Sequence, residues 1–400
     1  ACPGLLFTSP NAVQVGAATE WADQGNGVVH VVKNYTGDVM NFTVAANSTN
    51  VDVEQVLVAD DVATEIDEED DSPGRRGTGA TIIVEKIAGA AAARGDDLKA
   101  VAEVAQRAAD RSRSMAVALQ PGHSPTSDRD TFDLEDGQIE IGVGIHGEPG
   151  VERRETDEDK RPSAAALVTE LLDGILESLG KAGVDTDGAE VALLVNGLGG
   201  TSELEMDLVF GEALTQLTDR GLKVRRGMRG TLVTSLNMAG ISLTLTVLVD
   251  ELIQLIDADT AAPAWPGTVA DPEYADARMV DNVAQPDSGE ENAWLTGFVK
   301  RLAASYDDLT ALDREAGDGD FGQNMEAAFG DVVRPVRGAD AEVLNFFAHR
   351  MLVRAGGTSG AVLGTFFRQM ADVFEATGVD SRNADGTAFA GALVEGLQRG

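Results

Sequence analysis

Four hundred residues carrying a net charge of −36, from 67 acidic against 31 basic side chains, describe a strongly acidic globular chain whose surface repels nucleic acid and anionic membrane. That length exceeds what one hydrophobic core organises, so two or three domains are expected. A single cysteine, Cys2, excludes an internal disulfide framework and fits a reducing cytoplasm.

The longest apolar runs, such as VALLVNGLGG (191–200), are broken by Gly and Asn well short of the roughly 20 residues a bilayer requires. No signal-peptide pattern opens the sequence. Lysine is scarce beside arginine, and so acidic and lysine-poor a surface suggests a salt-adapted source. Any phosphate bound by such a chain must be held by metal and backbone amides.

The first 260 or so residues alternate β-branched apolar runs with helical patterns. VVHVVKNY (28–35), VDVEQVLVA (51–59), GQIEIGVGI (137–145), EVALLVNGL (190–198), GLKVRRG (221–227) and ISLTLTVLV (241–249) predict strands. Between them, 99–119, 164–180 and 202–219 repeat apolar residues at helical spacing. The alternation predicts α/β layers with parallel or mixed sheets, in two subdomains joined near 148–163. There the charged EPGVERRETDEDKRP predicts a loop, and the acidic run EIDEEDDSPGRR (65–76) predicts another. Residues 257–291, rich in Asp, Ala and Pro without periodicity, have a linker's composition. Beyond them every pattern is helical, so an all-α domain is expected over 292–400.

That domain contains LDREAGDGDFGQNM (312–325). Asp313 and Asp318 stand five positions apart, about 140° around an ideal helix, so a continuous helix would aim them at different faces. Gly317 and Gly319 make a turn the better geometry, gathering Asp313, Asp318 and Asp320 at one point. Three hard oxygen ligands on one loop suit Mg²⁺ shared with phosphate. An EF-hand fails, because Gly322 stands where a ligand belongs and no Glu closes the loop. A second loop, RAGGTSGAVLGTFF (354–367), puts Gly356, Gly357, Thr358, Ser359 and Gly360 ahead of a helix. Amides there can face an anion, although glycine-rich helix joints also serve close packing.

Of four histidines, His30, His123 and His349 read as structural. His146, in IEIGVGIHGEPG, ends a β run where the chain turns sharply and a side chain can face a cleft as base or nucleophile. At another strand end, KNYTGDVMNF (33–42) clusters Lys33, Asn34, Thr36 and Asp38. Asp38 there could simply cap a helix beginning at Val39.

These residues, with FTSP (7–10), RRGTGATIIVEKIAGAAAARG (75–95), NGLGGTSELE (196–205) and GTLVTSLNMAGISLT (230–244), run in order along nearly the whole chain. Together they resemble the single-chain dihydroxyacetone kinase family. That family fuses an α/β sugar-binding domain, here 1–256, through a linker, 257–291, to an all-α, helical-barrel nucleotide domain, here 292–400. The resemblance implies ATP-dependent phosphorylation of dihydroxyacetone in the cytoplasm. His146 would bond the substrate's carbonyl carbon as a hemiaminal, Asp38 would help activate the terminal hydroxyl, and Ser9 and Lys33 would line the sugar pocket. Asp313, Asp318 and Asp320 would hold Mg²⁺ on the ATP phosphates, beneath the Gly356–Gly360 loop. It further implies a homodimer in which one subunit's nucleotide domain faces its partner's sugar domain.

Against the family pattern, the chain starts downstream of a Gly-rich segment carrying a second active-site histidine and stops before the last helices of the nucleotide domain. It is therefore expected to be the middle of a longer protein, weak or inactive alone. Phe321 stands where many members carry another residue. A C4 ketose such as erythrulose is an alternative substrate, some fused members also cyclise FAD, and a non-catalytic ketose sensor is the remaining alternative. The retained carboxylates and His146 argue against a sensor.

Crowded surface carboxylates repel one another, and salt screens that repulsion. Raising KCl from about 0.1 M to about 1 M shortens the screening length from roughly 10 Å to 3 Å and is expected to raise the melting temperature. A melting temperature that falls or stays level across that range would count against a salt-adapted surface.

Overall fold

The computed structural model describes residues 7–65, 74–156, 162–273 and 283–399. The chain divides into two compact units, Ala1–Ala275 and Asp276–Gly400. The centre of the acidic run at 65–76, and residues 157–161 of the charged segment near 148–163, lie outside the described residues.

The first unit opens with α1 (Ala12–Ala22), β1 (Val28–Lys33), α2 (Thr36–Ser48) and β2 (Val53–Val58), and β1 and β2 pair in parallel. His30 pins these pieces together. It is 5 % exposed, its ring meets Phe42 of α2 edge-on at 5.3 Å, and its Nε2 lies 2.8 Å from Thr19 Oγ1 of α1. The Thr19 hydroxyl already donates to the Val15 carbonyl, so it accepts from His30 Nε2–H.

Next come α3 (Ala80–Arg94), α4 (Leu98–Asp110), β3 (Ser112–Gln120), a small hairpin of β4 (His123–Ser124) and β5 (Arg129–Asp130), β6 (Gln138–Ile141) and β7 (Glu152–Glu155). Then follow α5 (Ala164–Lys181), β8 (Glu190–Gly197), α6 (Glu203–Asp219), β9 (Lys223–Gly230), β10 (Ala239–Val247), α7 (Asp250–Asp257) and β11 (Val269–Ala270). Seven of these strands form a mixed sheet in the order β11-β9-β8-β10-β3-β6-β7, in which only β8 and β9 run parallel. Its two faces carry different cores. Val191, Leu193 and Val195 of β8 pack with α5 and α6, while Ala192 and Leu194 pack with α3, α4 and α7. Alternation of that kind on a strand covered on both sides explains why EVALLVNG is almost unbroken in apolar residues.

Two departures from the sequence reading stand out here. The helix expected over 99–119 ends at Asp110, and its second half is β3, near the middle of the sheet. Ser112 and Ser114, polar interruptions in an alanine-rich helical pattern, instead lie 2.7 Å from Thr246 and Thr244 of β10, so each buried hydroxyl is satisfied across the strands. Within the loop expected at 148–163, Glu152–Glu155 forms the edge strand β7, where Arg153 Nε donates to the buried Glu140 at 2.7 Å. Charge on a sheet edge is how a strand resists pairing with another chain, and it hides the strand from a reading based on apolar runs.

The second unit is helical throughout its described elements: α8 (Ala293–Ala303), α9 (Tyr306–Ala316), α10 (Phe321–Phe329), α11 (Asp340–Arg354), α12 (Gly357–Thr377) and α13 (Gly386–Arg399). Phe329, Phe347, Phe367 and Phe298 interlock edge-to-face in its core. Buried Asp340 accepts from Asn292 and Trp294 at the start of α8 and from Ser381.

Burial lowers the His30 pKa from its ordinary 6.5, and Nδ1 has no partner to receive an added proton. The unfolded chain therefore binds this proton more readily, and stability drains away as pH falls below 6.5. Between pH 7 and pH 5 the wild type is expected to lose stability relative to His30→Gln by at most about 1.4 kcal/mol per pH unit. Urea denaturation of both at the two pH values checks this; an unchanged difference refutes it.

Candidate functional site

Strand ends and tight glycine approaches bring one set of predicted residues together. Lys33 closes β1, and its backbone runs so close to Gly77 that a Cβ there would lie 2.7 Å from Lys33 Cα and 2.4 Å from the Val58 carbonyl. Asp38 sits in the first turn of α2, which begins at Thr36 after Tyr35, so it does not cap a helix starting at Val39. Instead it accepts a hydrogen bond from Ser9 Oγ at 3.2 Å.

His146 lies at the tip of the loop between β6 and β7; the strand ends at Ile141, short of the expected 145. That loop is closed by Val151 N–H to Ile141 O at 2.9 Å and Gly144 N–H to Glu148 O at 3.1 Å. Gly147 takes a left-handed φ of +81°, and a Cβ there would strike Thr131. The His146 ring is flanked edge-on by Tyr35 at 4.5 Å and Phe7 at 5.9 Å.

Ser9, Lys33, Asp38 and His146 thus all line one cleft of about 530 Å³, together with Phe7, Tyr35, Glu85 and the 232–234 segment after β9. Sequence reasoning missed Tyr35, Glu85 and Glu148. Burial is the larger influence on the Glu85 carboxyl and raises its pKa against the pull of Lys33, so the cleft carries a second carboxyl that protonates more readily than usual. Burial also works to raise Glu148, but the His146 ring and backbone N–H outweigh it and hold that carboxyl below its ordinary value.

In the second unit, α9 ends at Ala316 and α10 begins at Phe321, and Gly319, with φ +78°, reverses the chain between them. Oxygens of Asp313, Asp318 and Asp320 then lie within 4.8 Å of one another. Among the described residues none of the three forms an ion pair with Lys or Arg, although Arg314 runs beside the turn, its Nε 3.3 Å from where a Cβ on Gly319 would lie. Such a donor set fits a hard divalent cation. Asp313 Oδ2 also accepts the Phe321 N–H at 3.2 Å, and the Phe321 ring packs on the core of this unit.

The glycine loop stands next to this turn because Asn324, one turn into α10, accepts the Gly356 N–H at 3.0 Å. No side chain caps α12 at Gly356, so the amides of Gly357, Thr358 and Ser359 at its start have no helical partner. Gly360 is tightly packed. Its N–H bonds to Gly356 O, and a Cβ there would lie 2.0 Å from the Ala355 carbonyl, so it serves packing of α12 on α11. Three clustered carboxylates thus stand beside three amides that have no helical partner. The role of Asn324 had no signal beyond its place in GDGDFGQNM.

Of the remaining histidines, His123 is clamped by Asp128 and Asp130 at 3.2 and 3.0 Å on the small hairpin, and His349 lies in α11. No helix among the described residues is long and apolar enough to cross a membrane.

Isothermal titration with MgCl₂ is expected to register binding that weakens at least about tenfold in Asp318→Asn and stays unchanged in Asp308→Asn, an exposed acid of α9. Equal affinity in the two variants would remove the turn as a cation site.

Comparison with known proteins matches the Dak1 domain family over residues 1–264 and the DAK2 domain family over residues 315–400. The triokinase/FMN cyclase of Bos taurus is 33 % identical over 418 residues, 99 % of this chain and 70 % of that protein. The D-erythrulose kinase of Mycolicibacterium smegmatis is 34 % identical over 387 residues, 90 % of this chain and 65 % of that protein. Among solved structures, the dihydroxyacetone kinase of C. freundii in complex with AMP-PNP and Mg²⁺ aligns with 98 % of this chain and 71 % of that one, with TM-score 0.58 and 30 % identity.

Proposed function

This chain belongs to the fused dihydroxyacetone kinase and triokinase family, and from that premise we propose that it transfers the terminal phosphoryl group of ATP to a primary hydroxyl of a short-chain ketose. The observation that carries the proposal is the meeting of Ser9, Lys33, Asp38 and His146 in one cleft.

In this reading His146 Nε2 attacks the ketose carbonyl carbon, the C=O π pair moves to oxygen, and that oxygen takes a proton. The product is a hemiaminal, a covalent anchor that selects carbonyl sugars over polyols. Holding the substrate in this way replaces a loosely bound alcohol with one whose reacting oxygen is fixed, and positioning of that kind is a large part of phosphoryl-transfer catalysis. Asp38, oriented by the Ser9 hydroxyl, accepts the proton of the terminal hydroxyl as its oxygen attacks phosphorus. Lys33 offers the cleft a positive charge. Asp313, Asp318 and Asp320 would hold Mg²⁺, which when bound neutralises charge on phosphate oxygens. The amides of Gly357, Thr358 and Ser359 would face those oxygens.

Dihydroxyacetone is the substrate we favour, as the smaller sugar of this class. The erythrulose kinase relative supports a second reading in which a C4 ketose is preferred. The intact protein, assayed with ATP and each sugar, is expected to phosphorylate ketoses and not glycerol. In His146→Ala and Asp318→Ala, kcat/KM is expected to fall by roughly a hundredfold or more. Wild-type rates in either variant would overturn the mechanism, and the ratio of kcat/KM for C3 and C4 sugars decides between the two readings.

A further inference from the structure

We propose that Glu148 is a positioning residue for His146, keeping the ring proton on Nδ1 and the lone pair on Nε2. The inference rests on the reading that His146 is the carbonyl nucleophile. Glu148 meets its neighbour twice: Oε2 accepts the His146 backbone N–H at 2.9 Å, and Oε1 lies within ion-pair range of Nδ1, at 3.4 Å. A carboxylate only accepts, so its negative charge beside Nδ1 favours the ring proton on that nitrogen; in a neutral imidazole that leaves Nε2 with the free pair.

The carboxylate is itself held in place. A Cβ on Gly144 would lie 2.1 Å from Glu148 Oε2 and 2.6 Å from Arg76 Nη1, so both charged groups rest against the same stretch of backbone, which only glycine leaves clear. Arg76 in turn donates to Asp61 and to the Gly142 carbonyl, each at 2.8 Å. Tyr35 and Phe7 wall the ring on its other sides, and the Tyr35 hydroxyl makes no hydrogen bond to either ring nitrogen.

The same arrangement favours the adduct. When Nε2 bonds to the carbonyl carbon and the carbonyl oxygen takes a proton from solvent, the ring becomes an imidazolium whose Nδ1–H still faces Glu148. The adduct therefore gains an attraction between opposite charges that the free state lacks.

Two measurements on the intact protein test this. With isotope-labelled histidine and no sugar present, multibond proton–nitrogen NMR is expected to show His146 protonated on Nδ1 in the wild type and to lose that preference in Glu148→Ala. With carbonyl-labelled dihydroxyacetone, carbon NMR is expected to show a tetrahedral adduct in the wild type. Its apparent affinity should be roughly tenfold weaker in Glu148→Gln, which keeps the shape and the backbone contact but not the charge. In turnover the loss should appear in KM with kcat largely kept. A Glu152→Ala control at the exposed edge of β7 should match the wild type. A tautomer indifferent to Glu148, or wild-type adduct affinity in Glu148→Gln, overturns the proposal while leaving the kinase reading intact. A Glu148-dependent tautomer with no adduct in the wild type would instead sink the reading of His146 as the carbonyl nucleophile, on which the proposal rests.

Discussion

Two consecutive carboxylates after β2, Asp60 and Asp61, hold the two halves of the cleft to each other. Asp60 is fully buried; its carboxylate accepts from Thr78 N–H at 2.6 Å, Thr78 Oγ1 at 2.9 Å, Ala80 N–H at 2.9 Å and the Ser114 hydroxyl, and its carbonyl accepts Ser114 N–H at 2.7 Å. It thereby fixes the start of α3 and ties the β1–β2 pair to β3 of the large sheet. Asp61 binds Arg76, and Arg76 reaches the carbonyl of Gly142 at the root of the His146 loop. Lys33, Tyr35 and Asp38 come from one side of this link and His146 from the other. A buried carboxylate is tolerated only when its lone pairs are met, and Asp60 meets that condition with four donors. Loss of one of them would weaken the compensation of a fully buried group, so the segment is a constraint on both sheets at once.

The second unit solves a different electrostatic problem. A chain with a net charge of −36 repels polyanions at long range, so affinity for a phosphate must be generated locally. Three carboxylates within 4.8 Å raise negative charge at one point, which a small divalent cation can invert, and uncapped amides at the start of α12 supply fixed partial positive charge. Asn324 sets the spacing between these parts, because its side chain takes the Gly356 N–H while its own N–H closes on Asp320 O at 3.0 Å. Neither part needs a lysine, in keeping with a chain that has few.

Legibility in the sequence followed the physics of each element. Strands buried on both faces, such as β8 and β10, declared themselves by uninterrupted or alternating apolar residues. β3 did not, because alanine suits a helix as well as a small-residue strand and its serines looked like helix surface until their partners on β10 were known. β7 was hidden by charges whose counter-charges lie on β6 and α5, far away in sequence. Among candidate site residues, His146, Asp38 and the three clustered carboxylates could be singled out by local spacing and by glycines that force a turn. Glu148, Arg76, Asp61 and Asn324 act through other residues, and their roles exist only once the chain has folded; nothing in a neighbouring residue advertises them. Gly360 was legible as a needed glycine, and its close approach to the Ala355 carbonyl shows a packing reason that the sequence could not display, since packing and anion binding call for the same missing side chain.

The two proposed ligands also explain why the units differ so much in chemistry. A ketose is neutral, so an acidic surface neither attracts nor repels it, and a small polar molecule offers little apolar area to bind. Recognition must then come from directed contacts, and a reversible bond from a histidine to a carbonyl is a strong directed contact that also rejects polyols. Such a bond requires a nucleophile with one fixed tautomer, which demands a rigid loop with an ordered acceptor behind the ring. The glycines at 142, 144 and 147 meet that demand by letting the loop fold tightly against Ala63, Arg76 and Thr131. A nucleotide is the opposite case, a polyanion that needs charge rather than covalency, and in the second unit the uncapped amides at the start of α12 beside the carboxylate turn are what the chain offers it, while Gly360 and Gly364 let α12 pack closely on α11.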